Sequence, residues 1–392
     1  MAPHARLRQR VADILPEIVA MRHALHRIPE THFQEKETSS AIRAFLAGSA
    51  LELLPPFLGT DTVGTLKGGS DGPCILLRSD IDALPVQERS GAAWSSERPG
   101  RAHSCGHDGH MAILLGTARV LESFATEMSG SVRFVFQPAE EEAAGGKALI
   151  EKGLLEIVPR PTVAFALHGW PGVPVGSLGS AAGPAMAEAD TFRITVHGKG
   201  GHAAVPHRAI DPVLTAAQLV TSLQSIVSRT VDPQESVVLS ICRIEGGTTS
   251  NVIPDEVTLE GTTRYFNRSL QAVLRARMQR TMDGVCAAAG CTGELVYEEG
   301  YVPLVNHQSA VDLARDVVTA YLGPESWHAD HPRTMGAEDF AFYLEHVPGA
   351  LLRLGLGEEW QPLHAAGFDF NDQSLEPGIV TFAGLALEFC RR

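Results

Sequence analysis

CILLRSDID (74–82), SVRFVFQPAEE (131–141) and TVAFALHGW (162–170) are three short apolar runs, and each ends in a loop rich in Asp, Glu or His. Such runs read as buried strands. Between the first two lies DGHMAILLGTARVLESF (108–124), where Ile113, Leu114, Val120 and Leu121 recur at helical spacing. Strands alternating with helices predict an α/β fold, with a mixed, largely parallel central sheet flanked by helices. In sheets of that kind, chemistry gathers in the loops beyond the carboxyl ends of the strands. All three runs deliver acidic residues or histidine to that place.

The rhythm changes in the middle of the chain. TFRITVHG (191–198), SVVLSICRIEGG (236–247), DEVTLEGTTRYF (255–266) and GELVYEEGY (293–301) read as strands. DPVLTAAQLVTSLQSIVSR (211–229) and SLQAVLRARMQRTMDGVCAAAG (269–290) read as amphipathic helices, the second closed by Gly290. The order β-α-β-β-α-β is that of a ferredoxin-like unit. It predicts an inserted domain over 187–297 within a main domain made of 1–186 and 298–392. AEDFAFYLEHV (337–347) and ALLRLGLG (350–357) resume the helix and strand patterns of the main domain, and a last helix runs from about Glu376 to Cys390.

Composition limits the function. The 392 residues carry 46 Asp and Glu against 32 Lys and Arg, a net charge of −14. General nucleic-acid or anionic-membrane binding needs a basic face, so that balance argues against both and suits a protein that holds cations. Six scattered cysteines form no paired framework, as expected where thiols stay reduced. The first thirty residues read as an amphipathic helix rather than a secretory segment, and no stretch approaches 18 apolar residues. A cytoplasmic location is the expectation.

The densest chemistry lies in Ser104-Cys105-Gly106-His107-Asp108-Gly109-His110. If Cys105 to His107 is locally extended, thiol and imidazole fall on one side, and a helix starting near Asp108 would favour the thiolate. That pair suits a transition metal, or a buried Cys beside a helix start. Glu140, Glu141 and Glu142 follow a strand, where neighbouring carboxylates can divide metal binding and proton transfer. A solvated acidic loop is the other reading. His168 closes the third run, and His364 sits far downstream in PLHAAG (362–367). Asp80 and Asp82 stand at a strand end as ligands or as partners that orient a ligating imidazole. Asp108 and His110 read as supporting residues or a helix cap.

CGHDGHMA, FQPAEE, LHGWPGVPVG, GKGGHAAVPH, GGTTSNVIPDEV, MGAEDFAFY and LHAAGFDFND, in this order, resemble the M20 metallopeptidase clan. The nearest branch is that of the amidohydrolases, which holds hippurate, N-acyl-amino-acid and auxin-conjugate hydrolases. The resemblance implies a two-metal amidohydrolase that cleaves N-acyl amino acids to a carboxylic acid and an amino acid. It places the metal ligands on Cys105, His107, Glu141, His168 and His364, and a general base acting on a metal-activated water on Glu140. His202 matches a histidine of the inserted lid, thought to reach the partner subunit's site and hold the substrate carbonyl. Asn251 and Arg264 match substrate-contacting lid positions. Two divalent ions per subunit are implied, zinc or manganese, with cobalt or nickel as alternatives, and a homodimer through the insert or a higher oligomer. The alternatives are a dipeptidase or carboxypeptidase of the same clan, a metal-free cysteine hydrolase using Cys105, and a non-catalytic metal-dependent binding protein.

Overall fold

The structure is a computed structural model that describes residues 3–328 and 332–391. Met1 and Ala2, the first residues of the expected N-terminal helix, and Arg392 lie outside the described residues. The chain divides into two compact units. One comprises Met1–Gly183, Val305–Pro332 and Glu338–Arg392, the other Pro184–Leu304 and Arg333–Ala337. The return of the 333–337 segment to the second unit leaves no mark in the hydrophobic pattern.

In the first unit, strands β1 (Thr62–Lys67), β2 (Ser70–Asp80), β3 (Ser129–Gln137) and β4 (Pro161–Pro171) join β9 (Gly349–Gly357) in a seven-stranded sheet. Its order is Glu52–Leu53, β1, β3, β2, β4, β9, Leu178–Gly179. The four strands from β3 to β9 run parallel, and the antiparallel pairings lie at the edges. Strands buried on both faces need apolar residues at successive positions, which is why the sequence runs are continuous rather than alternating. Ile75, Leu76, Leu77, Phe134, Val135 and Phe136 are all fully buried.

Helix α1 (Pro3–His26) packs against α2 (His107–Glu122), the crossover between β2 and β3. From His107 to Leu121 every residue of α2 is buried except Arg119, so this helix is a core element without a solvent face. The chain leaves β2 toward β3 on one side, while β4 lies on the other. The carboxyl end of β2 is therefore a switch point of the sheet, the crevice where α/β folds bind ligands. The segment 337–347 supplies only one helical turn, Ala341–Leu344. Its first carboxylates, Glu338 and Asp339, are buried and face Arg78 instead of starting a longer helix.

In the second unit β5 (Glu188–His197), β6 (Val237–Glu245), β7 (Glu256–Tyr265) and β8 (Thr292–Tyr301) form one antiparallel sheet in the order β6-β7-β5-β8. Helices α3 (Pro212–Arg229) and α4 (Leu270–Ala289) cover one face, with Leu219, Leu223, Leu274 and Met278 packed on Ile194 and Leu259. Asp211 caps α3 by accepting from Val213 N and Leu214 N, and Gly290, at φ +76°, ends α4. The α-helices α5 (Gln308–Leu322) and α6 (Leu375–Phe389) return to the first unit.

Helix α1 is tied to α2 by buried charge. Arg22 Nη1 donates to Asp108 Oδ2 at 2.8 Å and Asp369 Oδ1 at 2.7 Å, and His26 bridges Asp108 (2.8 Å) and Glu88 (3.2 Å). Burial alone would lower the His26 imidazolium, but Asp108 and Glu88 outweigh it and hold it at about 10. A folded pKa above the unfolded value of roughly 6.5 contributes stability that is complete below that value and lost as pH rises toward 10. The metal-loaded protein is therefore expected to lose up to a few kcal/mol of unfolding free energy between pH 7 and 10. Denaturant midpoints measured across that range should fall in the wild type and flatten in His26→Gln.

Candidate metal centre

Cys105, Gly106 and His107 are not extended. Gly106 takes φ +87° and closes the turn into α2, so thiol and imidazole converge through a left-handed corner rather than by strand alternation. At Gly109 a Cβ would stand 2.4 Å from the Phe370 ring, so only glycine lets α2 start this close to its neighbour. Cys105 Sγ lies 3.4 Å from His168 Nε2, and potential ligand atoms of Cys105, His107 and His168 lie within 4.8 Å of one another. The same holds for Cys105, Glu141 and His364, and for His107, Glu140 and Glu141.

Each imidazole is oriented by its other nitrogen. His107 Nδ1 donates to Asp82 O at 2.8 Å, and His168 Nδ1 donates to Gly169 O at 2.8 Å. Both Nε2 atoms therefore present lone pairs, the usual second-sphere arrangement of a metal-binding histidine. His107 Nε2 and Glu141 Oε1 are buried without hydrogen-bond partners among the described residues and stand 3.8 Å apart. His364 Nε2 faces the same Glu141 oxygen at 3.4 Å. Two imidazole nitrogens and a carboxylate oxygen converging beside the Cys105 sulfur make a donor set of the kind that fits divalent transition metals.

His110 has a different place. Its Nδ1 donates to Asp80 Oδ1 at 2.7 Å, and its Nε2 accepts from Gly169 N at 2.8 Å. Both nitrogens are committed, so His110 holds the end of β4 instead of ligating. Asp82 orients His107 through its backbone oxygen and accepts from Glu141 N at 3.0 Å. Asp80 supports His110, and Asp108 anchors α1; neither donates to nor accepts from the Nδ1 of His107 or His168.

The expectation of a thiolate favoured by the α2 dipole is reversed in the metal-free site. Burial, with Glu141, Glu140 and Asp80 nearby, pushes the Cys105 thiol well above its ordinary range. That environment opposes a free cysteine nucleophile, whereas a coordinating cation would remove the proton outright. Burial and the neighbouring Glu338, Glu141 and Asp339 likewise push Glu140 up, against the pull of Arg78. Arg78 is fully enclosed and reaches Asp80 (2.9 Å), Asp339 (2.7 Å), Glu338 (3.1 Å) and Gln137 Oε1 (3.0 Å).

Backbone strain marks the two loops. Ala139, just before Glu140, has φ +56°, and His364 has φ +65°, both costly for residues with a Cβ. Glu35 Oε1 accepts from Ala139 N at 3.0 Å, and His364 N donates to Ser104 O at 2.7 Å. Glu35, Arg78, Glu338 and Asp339 received no role from the sequence reading. An arginine inside an apolar run, Arg78 in CILLRSDID, was the available signal. His202, Asn251 and Arg264 belong to the second unit. There His202 pairs with Val252, and Ala203 N donates to Asn251 O at 3.0 Å, while Arg264 lies on β7.

A sequence profile of peptidase family M20/M25/M40 matches residues 76–388. The chain belongs to that family. It is 40% identical over 373 residues to an N-acetylcysteine deacetylase of Bacillus subtilis (strain 168), covering 94% of this chain and 96% of that one. It is 35% identical over 385 residues to IAA-amino acid hydrolase ILR1-like 4 of Arabidopsis thaliana, covering 96% and 86%. The solved YXEP protein of Bacillus subtilis, described as a dinuclear metal-binding peptidase of family M20, superposes with a TM-score of 0.85 at 34% identity over 97% and 99% of the two chains. Within its family the chain is a metal-dependent amidohydrolase. Among the described residues, no helix is long and apolar enough to cross a membrane.

Replacing His110 by Ala should free the Gly169 end of β4 and weaken metal binding about 10–100-fold while the protein stays folded. Metal retained per chain across a chelator series measures this, and wild-type retention would remove His110 from that role.

Proposed function

We propose that this enzyme hydrolyses the amide bond of N-acyl amino acids, releasing a carboxylic acid and an amino acid. The observation that carries the reading is the overlapping groups of close donor atoms from Cys105, His107, Glu141, His168 and His364, with the buried Glu140 beside His107 and Glu141. Relatives named for deacetylation of N-acetylcysteine and hydrolysis of an amino-acid conjugate support the substrate class.

The five residues would hold two divalent cations. Thiolate and imidazole donors favour zinc, cobalt or nickel, and the carboxylate admits manganese. Such cations would polarise the amide carbonyl and lower the pKa of water from about 15.7 toward roughly 7. Glu140 is the general base. Its Oε1 accepts from Asp339 N at 3.4 Å, which helps to orient the carboxylate. It takes a proton from the attacking water and returns it to the leaving nitrogen, so one group serves both transfers. Burial and acidic neighbours raise its proton affinity, which suits holding that proton between the two steps. Arg78 keeps the surrounding carboxylates in place while this happens.

His202 Nδ1 accepts from Ala204 N at 3.0 Å, so its proton sits on Nε2, ready to donate to a substrate carbonyl oxygen. Asn251 and Arg264 are assigned to substrate contacts, and the second unit to homodimerisation.

Two substitutions test the assignment. Glu140→Gln should retain both metals by elemental analysis and lose about a thousandfold or more in kcat on N-acetyl amino acids. Near-normal turnover in the loaded variant rejects Glu140 as the base. His202→Ala should lower kcat with metal content unchanged. Loss of metal from a folded His202→Ala protein would instead make His202 a ligand. A wild-type preference for dipeptides with free amino termini over N-acyl amino acids would favour the peptidase alternative.

A further inference from the structure

Arg353 takes no part in the chemistry described so far, yet it stands beside it. It lies on β9 opposite His168 of β4 in the parallel register, so the two side chains leave the same face of the sheet. It is only 5% exposed. Its guanidinium carbon sits 4.1 Å from the centre of the Trp170 ring, and that indole meets the His168 ring edge-on with centres 5.7 Å apart. One indole separates the guanidinium from a candidate metal ligand.

Among the described residues the guanidinium has no anionic partner, and its hydrogen bond is from Nη1 to Pro332 O at 2.8 Å. Arg22 and Arg78, also buried, each face several carboxylates. Arg133, likewise without a direct carboxylate, spends Nε on Thr65 Oγ1 and Nη2 on Pro159 O. For Arg353, burial with nothing to offset it pushes the pKa down to about 10. A desolvated cation with one carbonyl and one π face is under-compensated, and a planar fork of donors matches a carboxylate. The order Arg353, Trp170, His168 sets that fork at the edge of the reaction site.

We propose that Arg353 and Trp170 form an anion-binding subsite beside the metal centre, in which the guanidinium takes a carboxylate of the substrate. This rests on the amidohydrolase reading of the centre and adds to it a selectivity for acidic groups. The carboxylate belongs either to the leaving amino acid or to an acidic acyl chain. Trp170 holds the guanidinium plane and closes one side of the subsite to water.

The test compares metal-loaded wild type, Arg353→Met and Arg353→Lys on N-acetyl-L-methionine, N-succinyl-L-methionine and N-acetyl-L-methioninamide. Arg353→Met should raise KM about 10-fold or more for the carboxylate that docks, with kcat held within about threefold. Arg353→Lys, which keeps the charge and loses the fork, should fall between. A rise for both acids but not the carboxamide identifies the amino-acid carboxylate, and a rise for the succinyl substrate alone identifies the acyl carboxylate. Equal losses on all three substrates, or no change on any, overturn the proposal. If Arg353→Met fails to fold, as read by its thermal midpoint, Arg353→Lys and Arg353→Gln are judged by the same criteria. If wild type turns over none of the three, the amidohydrolase reading fails separately. Calorimetric titration of succinate then decides the subsite: binding weakened about 10-fold or more by Arg353→Met supports it. Equal binding by both proteins, or none by wild type, rejects it.

Discussion

Carboxylates buried side by side repel one another unless positive charge is buried with them, and this constraint organises the first unit. Arg78, wholly enclosed at the end of β2, is ringed by Asp80, Glu338 and Asp339, with Glu140 held close by. Its charge does not cover the whole cluster. Glu141 Oε1, Asp82 Oδ1 and His107 Nε2 remain buried without hydrogen-bond partners among the described residues. The remaining negative charge is what divalent cations would balance. Folding and metal binding would then be linked, because the fold desolvates the atoms that a cation would engage.

Topology explains why this cluster forms where it does. The parallel strands β2, β3 and β4 end together, and the chain's reversal of direction at β2 leaves a crevice between their loops. Each loop brings a different function: Asp80 and Asp82 from β2, Glu140 and Glu141 from β3, His168 from β4. Helix α2 enters the same crevice with Cys105 and His107 at its start. The largely buried α2 cannot shift without disturbing the core, so the two candidate ligands at its start are held by packing as well as by hydrogen bonds. The second tie, Arg22 and His26 on Asp108, fixes the same helix from the side of α1.

A division of labour among the histidines follows from their hydrogen bonds. His107 and His168 each spend Nδ1 on a backbone oxygen and keep Nε2, while His110 spends both nitrogens. Three imidazoles within a few ångströms thus differ in role because their neighbours set their tautomers. Arg353 extends the same logic to the periphery, where a buried cation has no anionic partner among the described residues.

Local pattern was enough to read the α/β class from the continuous apolar runs, and the ordered motifs CGHDGHMA to LHAAGFDFND carried the family. The extent of the last helix and the strands of the second sheet were likewise legible, since hydrophobic period and glycine stops are properties of neighbouring residues. The resemblance carried by the ordered motifs pointed to Cys105, His107, Glu141, His168 and His364, and potential ligand atoms among them lie within 4.8 Å of one another in overlapping groups of three. The sequence could not tell His110 from His107, place Arg78 or Glu35, or foresee that Cys105 and His107 meet through a left-handed glycine. Nor could it shorten 337–347 to a single turn. Those outcomes depend on hydrogen bonds and charges between residues tens to hundreds of positions apart, such as Arg78 with Asp339, and such pairings exist only once the chain has folded.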